Sequence, residues 1–471
     1  MKMLIAGKWQ DKNSKIPVEN PFDGSVIDTV PAGDKGDLDH ALESAVEGRR
    51  EVAALSTLQR SEILARASAL LSERSEDFAV TIAKEVGKTI REARVEVDRA
   101  ISNFGWASEE AKRIGGEIVP FESAPNGEGK FGFYFRVPVG VVAAITPFNF
   151  PLNLAVHKVA PAIAAGNSVV LKPATVTPLS GLMLGRLLLD AGLPPKGISV
   201  ITGRGSEIGD ALVSDARVNF VTLTGSPETG ERIMKTAGLK KTTMELGSNS
   251  GVIVMDDGDW ELAARKVSAA GYALAGQVCI SVQRVYVHES HFDGFVKLLK
   301  SLVTALKVGN QLEEDTDVGP MISEAEAIVK AGWIEEAVAG GAEMVCGGGR
   351  ERALLEPAIL THVDPRAKVS CKEVFAPVVC VDPIGSLEEG IERLNDSDYG
   401  LQGAIFTRRL KDAMTAARQV EVGGFMINEV PTFRADLMPY GGVKKSGLGR
   451  EGARYAIEEM TEIRLVCMDL R

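Results

Sequence analysis

Residues 275–284 read AGQVCISVQR and set one cysteine, Cys279, between a Gly-Gln pair and a run of strand composition. A cysteine so placed is either a small buried hydrophobe, the commoner case, or a nucleophile acting as its thiolate. Ala275 and Gly276 are small and would let a substrate approach it. Two further residues bear on the choice. Glu245 closes the strand-like "KTTMEL", where carboxylates are seldom placed for packing. Asn149 sits in the apolar loop "TPFNFP", and a buried amide needs partners. A sulfur nucleophile, a carboxylate that can activate water and an amide that can donate to an oxyanion are the parts of thioester chemistry.

These residues fall at the ends of elements that the pattern predicts. Residues 35–115 have helical periodicity. From 139, continuous apolar strands ("VGVVAAIT", "NSVVLKPA", "GISVITG", "VNFVTLTG") alternate with helices, one capped by Thr177 with Pro178 in its first turn. That alternation implies an α/β chain with a Rossmann-like, doubly wound parallel sheet, which binds ligands beyond the carboxyl ends of its strands. Two turns there suit a nucleotide phosphate: "TGRGSEIG", with Gly203, Gly205 and Gly209, and "LTGSPETG", with Gly225 and Ser226 at a helix start. The first has GxGxxxG spacing, wider than the usual fingerprint, so a plain tight turn competes with that reading. Lys172 follows a buried strand; it is either a solvated lysine or a ligand for a ribose hydroxyl or a 2′-phosphate. Nearby Thr175 is neutral where a ribose-binding carboxylate would mark NAD preference, which leans the reading to NADP or dual use. A second run of strands and helices holds Cys279, with a boundary near 247. "SAPNGEGK" followed by "FGFYFRVPVG" predicts a protruding hairpin, and the strand-like end "EEMTEIRLVCMDLR" would pair with that arm or with another subunit.

Composition narrows the partners. Net charge is −11, from 53 Lys+Arg against 64 Asp+Glu, which argues against nucleic acid. The most apolar stretch, 137–171, holds four prolines, His157 and Lys158 and makes a poor membrane span. The five cysteines fit neither a disulfide framework nor a CxxC site, and no paired-histidine pattern occurs. We therefore expect no metal and a reducing cytoplasm.

Six segments, "TPFNFPLNLAVHKVAPAIAAGNSVVLKPAT", "VTLTGS", "MELGSNSGVIV", "AGQVCISVQRVYV", "EVFAPVV" and "MPYGGVKKSGLGREG", lie in the order of the aldehyde dehydrogenase superfamily, which the chain resembles over nearly its whole length. The resemblance implies a dinucleotide-binding domain (1–115 and 137–247), an α/β catalytic domain (248–447) and a β oligomerisation arm with the C-terminal strand (116–136 and 448–471), assembled as a homodimer or homotetramer. By position, Cys279 resembles the nucleophile, Asn149 the oxyanion amide, Glu245 the general base, Lys172 the adenosine-ribose ligand and Glu373 the nicotinamide-ribose ligand, with Phe375 against the nicotinamide. Ser248 and Ala376 stand where the family usually has glycine, and Thr175 where NAD-preferring members have glutamate. The implied reaction is NAD(P)-dependent oxidation of a short polar or anionic aldehyde. Arg434 and Arg99 are possible anion forks, each also readable as an ordinary salt bridge; His157 is either a polar wall of the pocket or a satisfied core histidine. The alternatives are acyl transfer to coenzyme A, against which Glu245 argues, and a non-redox cysteine hydrolase or transferase, which would need a histidine base.

Overall fold

A computed structural model describes all of residues 1–471. Two sheets carry the molecule. The first has eight strands, and its five parallel members lie in the order Ile198–Val200, Ser168–Lys172, Val141–Ile145, Phe220–Thr224 and Lys241–Glu245. In chain order that is 3-2-1-4-5, a doubly wound arrangement whose direction reverses at Val141–Ile145. Antiparallel strands Met3–Ile5 and Gly447–Leu448 flank the parallel core. The second sheet has seven strands, parallel except for Glu343–Cys346 at one edge. Loop 246–250 is the direct link between the two sheets.

The central parallel strands are buried almost throughout, which is why they read as unbroken apolar runs, and only the edge-side Lys241–Glu245 starts exposed. The first core also takes in the N-terminal helices and the helix Ala453–Glu459, so residues 447–460 pack with the first sheet and not with the second. The end of the chain, Thr461–Asp469, pairs antiparallel with Lys130–Pro138 over nine residues to form an arm with Ile118–Val119.

Two helix starts depart from the local reading. Thr177 does not cap: its hydroxyl is buried without a partner, and the helix Leu179–Asp190 begins after Pro178. Its first N–H groups donate instead to Glu85 of another helix, from Leu179 to Oε2 at 2.8 Å and from Ser180 to Oε1 at 3.0 Å. The helix Asn153–Ala164 is served likewise by Glu96, whose Oε1 accepts from Leu152 and Asn153 at 3.0 Å each. In each case a distant carboxyl group supplies the acceptors that a helix start needs.

Candidate active site

A groove of about 800 Å³ runs along the carboxyl ends of the first sheet's strands and reaches Cys279. A second cavity of about 530 Å³ reaches the same residue on another side. Cys279 is thus a shared wall of both, and not a packed core thiol.

The turn before it is tightly held. Leu274, Ala275 and Gly276 all have left-handed backbone, with φ of 49°, 51° and 71°. Such a run is costly for the two non-glycine residues and needs fixed neighbours. Glu92 accepts the Leu274 N–H at 2.8 Å, and a side chain on Gly276 would collide with the Ala376 carbonyl. Ala275 and Gly276 are therefore buried and locked in place; they do not form the open approach that their size suggested. Gln277 is the hub of this turn. Its carbonyl accepts Asn149 Nδ2 at 2.8 Å and its Oε1 accepts the Ile322 N–H at 2.9 Å. One amide N–H of Asn149 is thus engaged, and the side chain faces the groove that reaches Cys279.

Cys279 Sγ lies 3.2 Å from the hydroxyl of Tyr440, a residue that sequence reasoning passed over although it stands within "MPYGG". Burial pushes the thiol up to about 11; the Tyr440 hydroxyl and the Arg434 charge pull it down, and Glu373 and Glu245 oppose them. Glu245 is 2 % exposed, lines neither cavity, and has no hydrogen-bond partner on either oxygen. Burial, then neighbouring Glu451, lifts it well above the ordinary carboxylate range. Burial works against ionised Glu451 too, but Lys158 at 2.7 Å and Arg434 at 2.9 Å outweigh it, so Glu451 is the ionised member of the pair.

In the groove, Lys172 donates to its neighbour Pro173's carbonyl at 3.2 Å, and burial lowers it to about 8. That leaves most of its donor capacity for a ligand. The helix Gly205–Ser214 has no side-chain cap, so its first-turn N–H groups at Gly205 and Ser206 face the groove ready for an anion. Gly209, Gly225, Ser226 and Thr175 line the same space. Gly203 does not: its backbone packs against Gly33, and its carbonyl accepts the Thr175 hydroxyl at 3.2 Å. Gly225 brings no free N–H, because that group donates to the Glu245 carbonyl at 3.0 Å. At the far end Glu373 accepts the Ser248 N–H at 3.0 Å and is pushed by burial up to about 7, while Phe375 holds a positive φ of 53°. A side chain on Gly247 would crowd the Glu373 carboxylate, whereas Ser248 is accommodated and its backbone N–H donates to that carboxylate. Buried Lys172, an uncapped helix start and Glu373 in one groove fit a dinucleotide: ribose hydroxyls at each end and a pyrophosphate between.

The expected substrate residues separate. Arg434 and Arg99 line the second cavity; His157 lines neither cavity. His157 is 1 % exposed, its Nε2 lies 2.9 Å from Asp436 and 3.2 Å from Arg434, and burial lowers it. It supports the arginine from beneath because apolar helix Asn153–Ala164 is buried all round. Arg99 makes a two-pronged contact with Asp436, at 2.7 and 3.3 Å. Arg434 is only 5 % exposed at its side chain, its Nη2 serves Glu451, and its Nε is buried with no partner. It is a buried cation, not a surface salt bridge. Arg284 is structural, its guanidinium spent on the carbonyls of Asn249, Arg393 and Leu394.

A thiol shared between a dinucleotide-sized groove on an open parallel sheet and a second cavity that Arg434 and Arg99 line fits the class of α/β nucleotide-dependent oxidoreductases. The aldehyde dehydrogenase family model matches residues 9–466. The chain is 48% identical over 468 residues to 3-sulfolactaldehyde dehydrogenase of Priestia megaterium, covering 99% of this chain and 98% of that protein. Among solved structures, aldehyde dehydrogenase 21 from Physcomitrella patens, in complex with the reaction product succinate, superposes with a TM-score of 0.97 at 39% identity, covering 100% of this chain and 98% of that one. The glyceraldehyde-3-phosphate dehydrogenase GapN of Methanocaldococcus jannaschii, complexed with NADP, gives 0.94 at 38% identity over 97% of this chain and 100% of that one. The chain belongs to the aldehyde dehydrogenase family and is an NAD(P)-dependent aldehyde dehydrogenase.

Proposed function

We propose that this enzyme oxidises a short aldehyde carrying an anionic group at its far end (sulfonate, carboxylate or phosphate) to the free carboxylic acid. The observation that carries this reading is Arg434: a guanidinium in the wall of the second cavity that spends only Nη2 on hydrogen bonds to the protein. An unpaired buried donor is costly, and a planar fork suits an oxyanion. Arg99 adds a second positive wall. The relatives named above are, by name, enzymes or complexes of a sulfonated aldehyde, a dicarboxylate and a phosphorylated aldehyde.

In this reading the thiolate of Cys279 attacks the carbonyl carbon, an S–C bond forms and the carbonyl π pair moves to oxygen. The second N–H of Asn149 and the Cys279 backbone N–H stabilise that oxyanion; each such donor is worth about 10²–10³ in rate. Lys172, Thr175, Gly209, Ser226, Glu373 and Phe375 line the groove and would hold and orient the dinucleotide, whose nicotinamide would supply the hydride acceptor. A thioester remains on Cys279, and Glu245, swung out of its buried position and ionised, takes a proton from water as the water adds and the S–C bond breaks. A carboxylate at Glu245 supports hydrolysis over transfer to coenzyme A. Neutral Thr175 beside Lys172 leaves room for a 2′-phosphate, and we infer use of NADP or of both cofactors.

The first sheet's part (1–115 and 137–247, with 447–460 packed on it) carries the cofactor, the second (248–446) the nucleophile, and the arm (116–136 with 461–471, shorter than the expected 448–471) joins subunits into a homodimer or homotetramer. Exposed Ile118, Phe131, Phe135, Ile463 and Leu465 on that arm support this. Five free cysteines suit the cytoplasm. The test is a panel of sulfolactaldehyde, succinate semialdehyde, glyceraldehyde 3-phosphate, lactaldehyde and a long alkanal, with NAD and NADP in parallel and with and without coenzyme A. The anionic aldehydes should lead in kcat/KM. Better turnover of the alkanal would overturn the anion reading, and absolute dependence on coenzyme A would overturn hydrolysis.

A further inference from the structure

Tyr440 is a buried aromatic side chain beside Cys279. Its ring belongs to a small apolar cluster with Ile280 and Leu401, bordered by Val278 and Met438. It is 3 % exposed, and its backbone is pinned by reciprocal bonds with Glu451 at 3.1 and 2.7 Å. A buried hydroxyl needs a partner, and the one that Tyr440 has is Cys279 Sγ at 3.2 Å. Arg434 meets the face of the ring, its guanidinium carbon 3.6 Å from the ring centroid. Arg434 is held there by Glu451 and His157. A cation on a ring face draws charge from the π system and makes the phenol a better donor.

We propose that Tyr440 is a positioning residue for the nucleophile: its hydroxyl donates to the sulfur of Cys279, stabilises the thiolate and aims it at the second cavity, and Arg434 strengthens that donation through the ring. This rests on the reading of Cys279 as the nucleophile. The need is physical, since the sulfur lies between Val278 and Ile280 in surroundings that disfavour a negative charge. The titratable and charged groups around it are Tyr440, Arg434, Glu373 and Glu245. Of these, only Tyr440 touches the sulfur, and the two carboxyls oppose ionisation. Burial keeps the phenol protonated, so it stays a donor while the thiol proton leaves through the cavity to solvent. An anionic substrate and this stack use different parts of Arg434: the ring takes the planar face, and Nη1, which makes no hydrogen bond to the protein, remains at the edge.

Tyr440→Phe keeps the ring and the stack and removes the hydroxyl alone. In the full-length enzyme without cofactor or aldehyde, the rate at which iodoacetamide alkylates Cys279 is followed against pH, with peptide mapping to separate it from the four other thiols. The profile should move up by about one pH unit, and alkylation near neutral pH should fall about tenfold, with an unchanged melting temperature. Superimposable profiles in a folded variant would overturn the proposal. Should Tyr440→Phe not fold, 3-fluorotyrosine at position 440, a stronger donor, should move the profile down, and an unmoved profile there overturns it equally. Cys279→Ala separates the two readings. Aldehyde oxidation surviving that change removes the nucleophile itself. An inactive Cys279→Ala enzyme with an unmoved Tyr440→Phe profile removes only the role of Tyr440.

Discussion

At the residue scale, the proposed reaction divides its work between a thiol and a carboxyl that burial holds protonated, and each would be released at its own step. Cys279→Ala should abolish dehydrogenase activity while leaving NADP binding, measured by fluorescence quenching, near wild type. Glu245→Gln keeps the shape and removes the base. Steady-state turnover should drop about 10²–10⁴-fold, with a stoichiometric burst of reduced cofactor retained as the thioester accumulates. Loss of the burst together with the turnover would place Glu245 before the thioester instead of after it. Thr175→Glu would set a carboxylate beside Lys172 in the groove. We expect KM for NADP to rise by about tenfold or more, with KM for NAD changed far less, as like-charge exclusion requires.

At the scale of elements, the helices that build the site begin on carboxylates from elsewhere. Glu96 accepts from Leu152 and Asn153 and also binds buried Lys88 at 2.5 Å. Glu96→Gln keeps an acceptor and strands the ammonium, so a loss of about 3–5 kcal/mol is expected in denaturant unfolding. Lys88→Met in the same chain should restore most of it. Glu85 has a pH signature. Burial raises it in the folded state from 4.5 to about 7, so its proton stabilises the fold below the unfolded value, and that contribution is lost as pH rises through about 7. Melting temperatures of wild type and Glu85→Gln across that window should show the wild type losing ground by about 3 kcal/mol from acid to neutral pH. Parallel curves would mean that Glu85 is ionised throughout. Neither carboxylate could be matched to its helix from the sequence, because Glu85 lies 94 residues before the N–H of Leu179 and Glu96 lies 56 before that of Leu152.

For the whole molecule, the arm is the part whose stability the first core does not supply. Thr461–Asp469 covers one edge of Lys130–Pro138, and both present large apolar side chains to solvent. If the arm joins subunits as proposed, a chain ended at Met460 should sediment as a smaller species or precipitate through the bared strand; an unchanged sedimentation coefficient would overturn that role for the arm. The alternation of strands and helices, the strand-end positions of Lys172 and Glu245 and the loop of Asn149 were legible in the chain alone, because each is a local pattern set by the period of burial. The turn glycines were legible only as turns: whether Gly203 lines a groove or packs on Gly33 depends on a segment 170 residues away. So too with the network Lys158–Glu451–Arg434–Tyr440–Cys279, whose first pair is 293 residues apart. The amino-acid order determined which elements form and which reactive groups stand at their ends. Tertiary packing alone decided which charges neutralise one another, which carboxyl keeps its proton and which hydroxyl meets the sulfur, because those energies depend on distance and dielectric across the junction of two sheets.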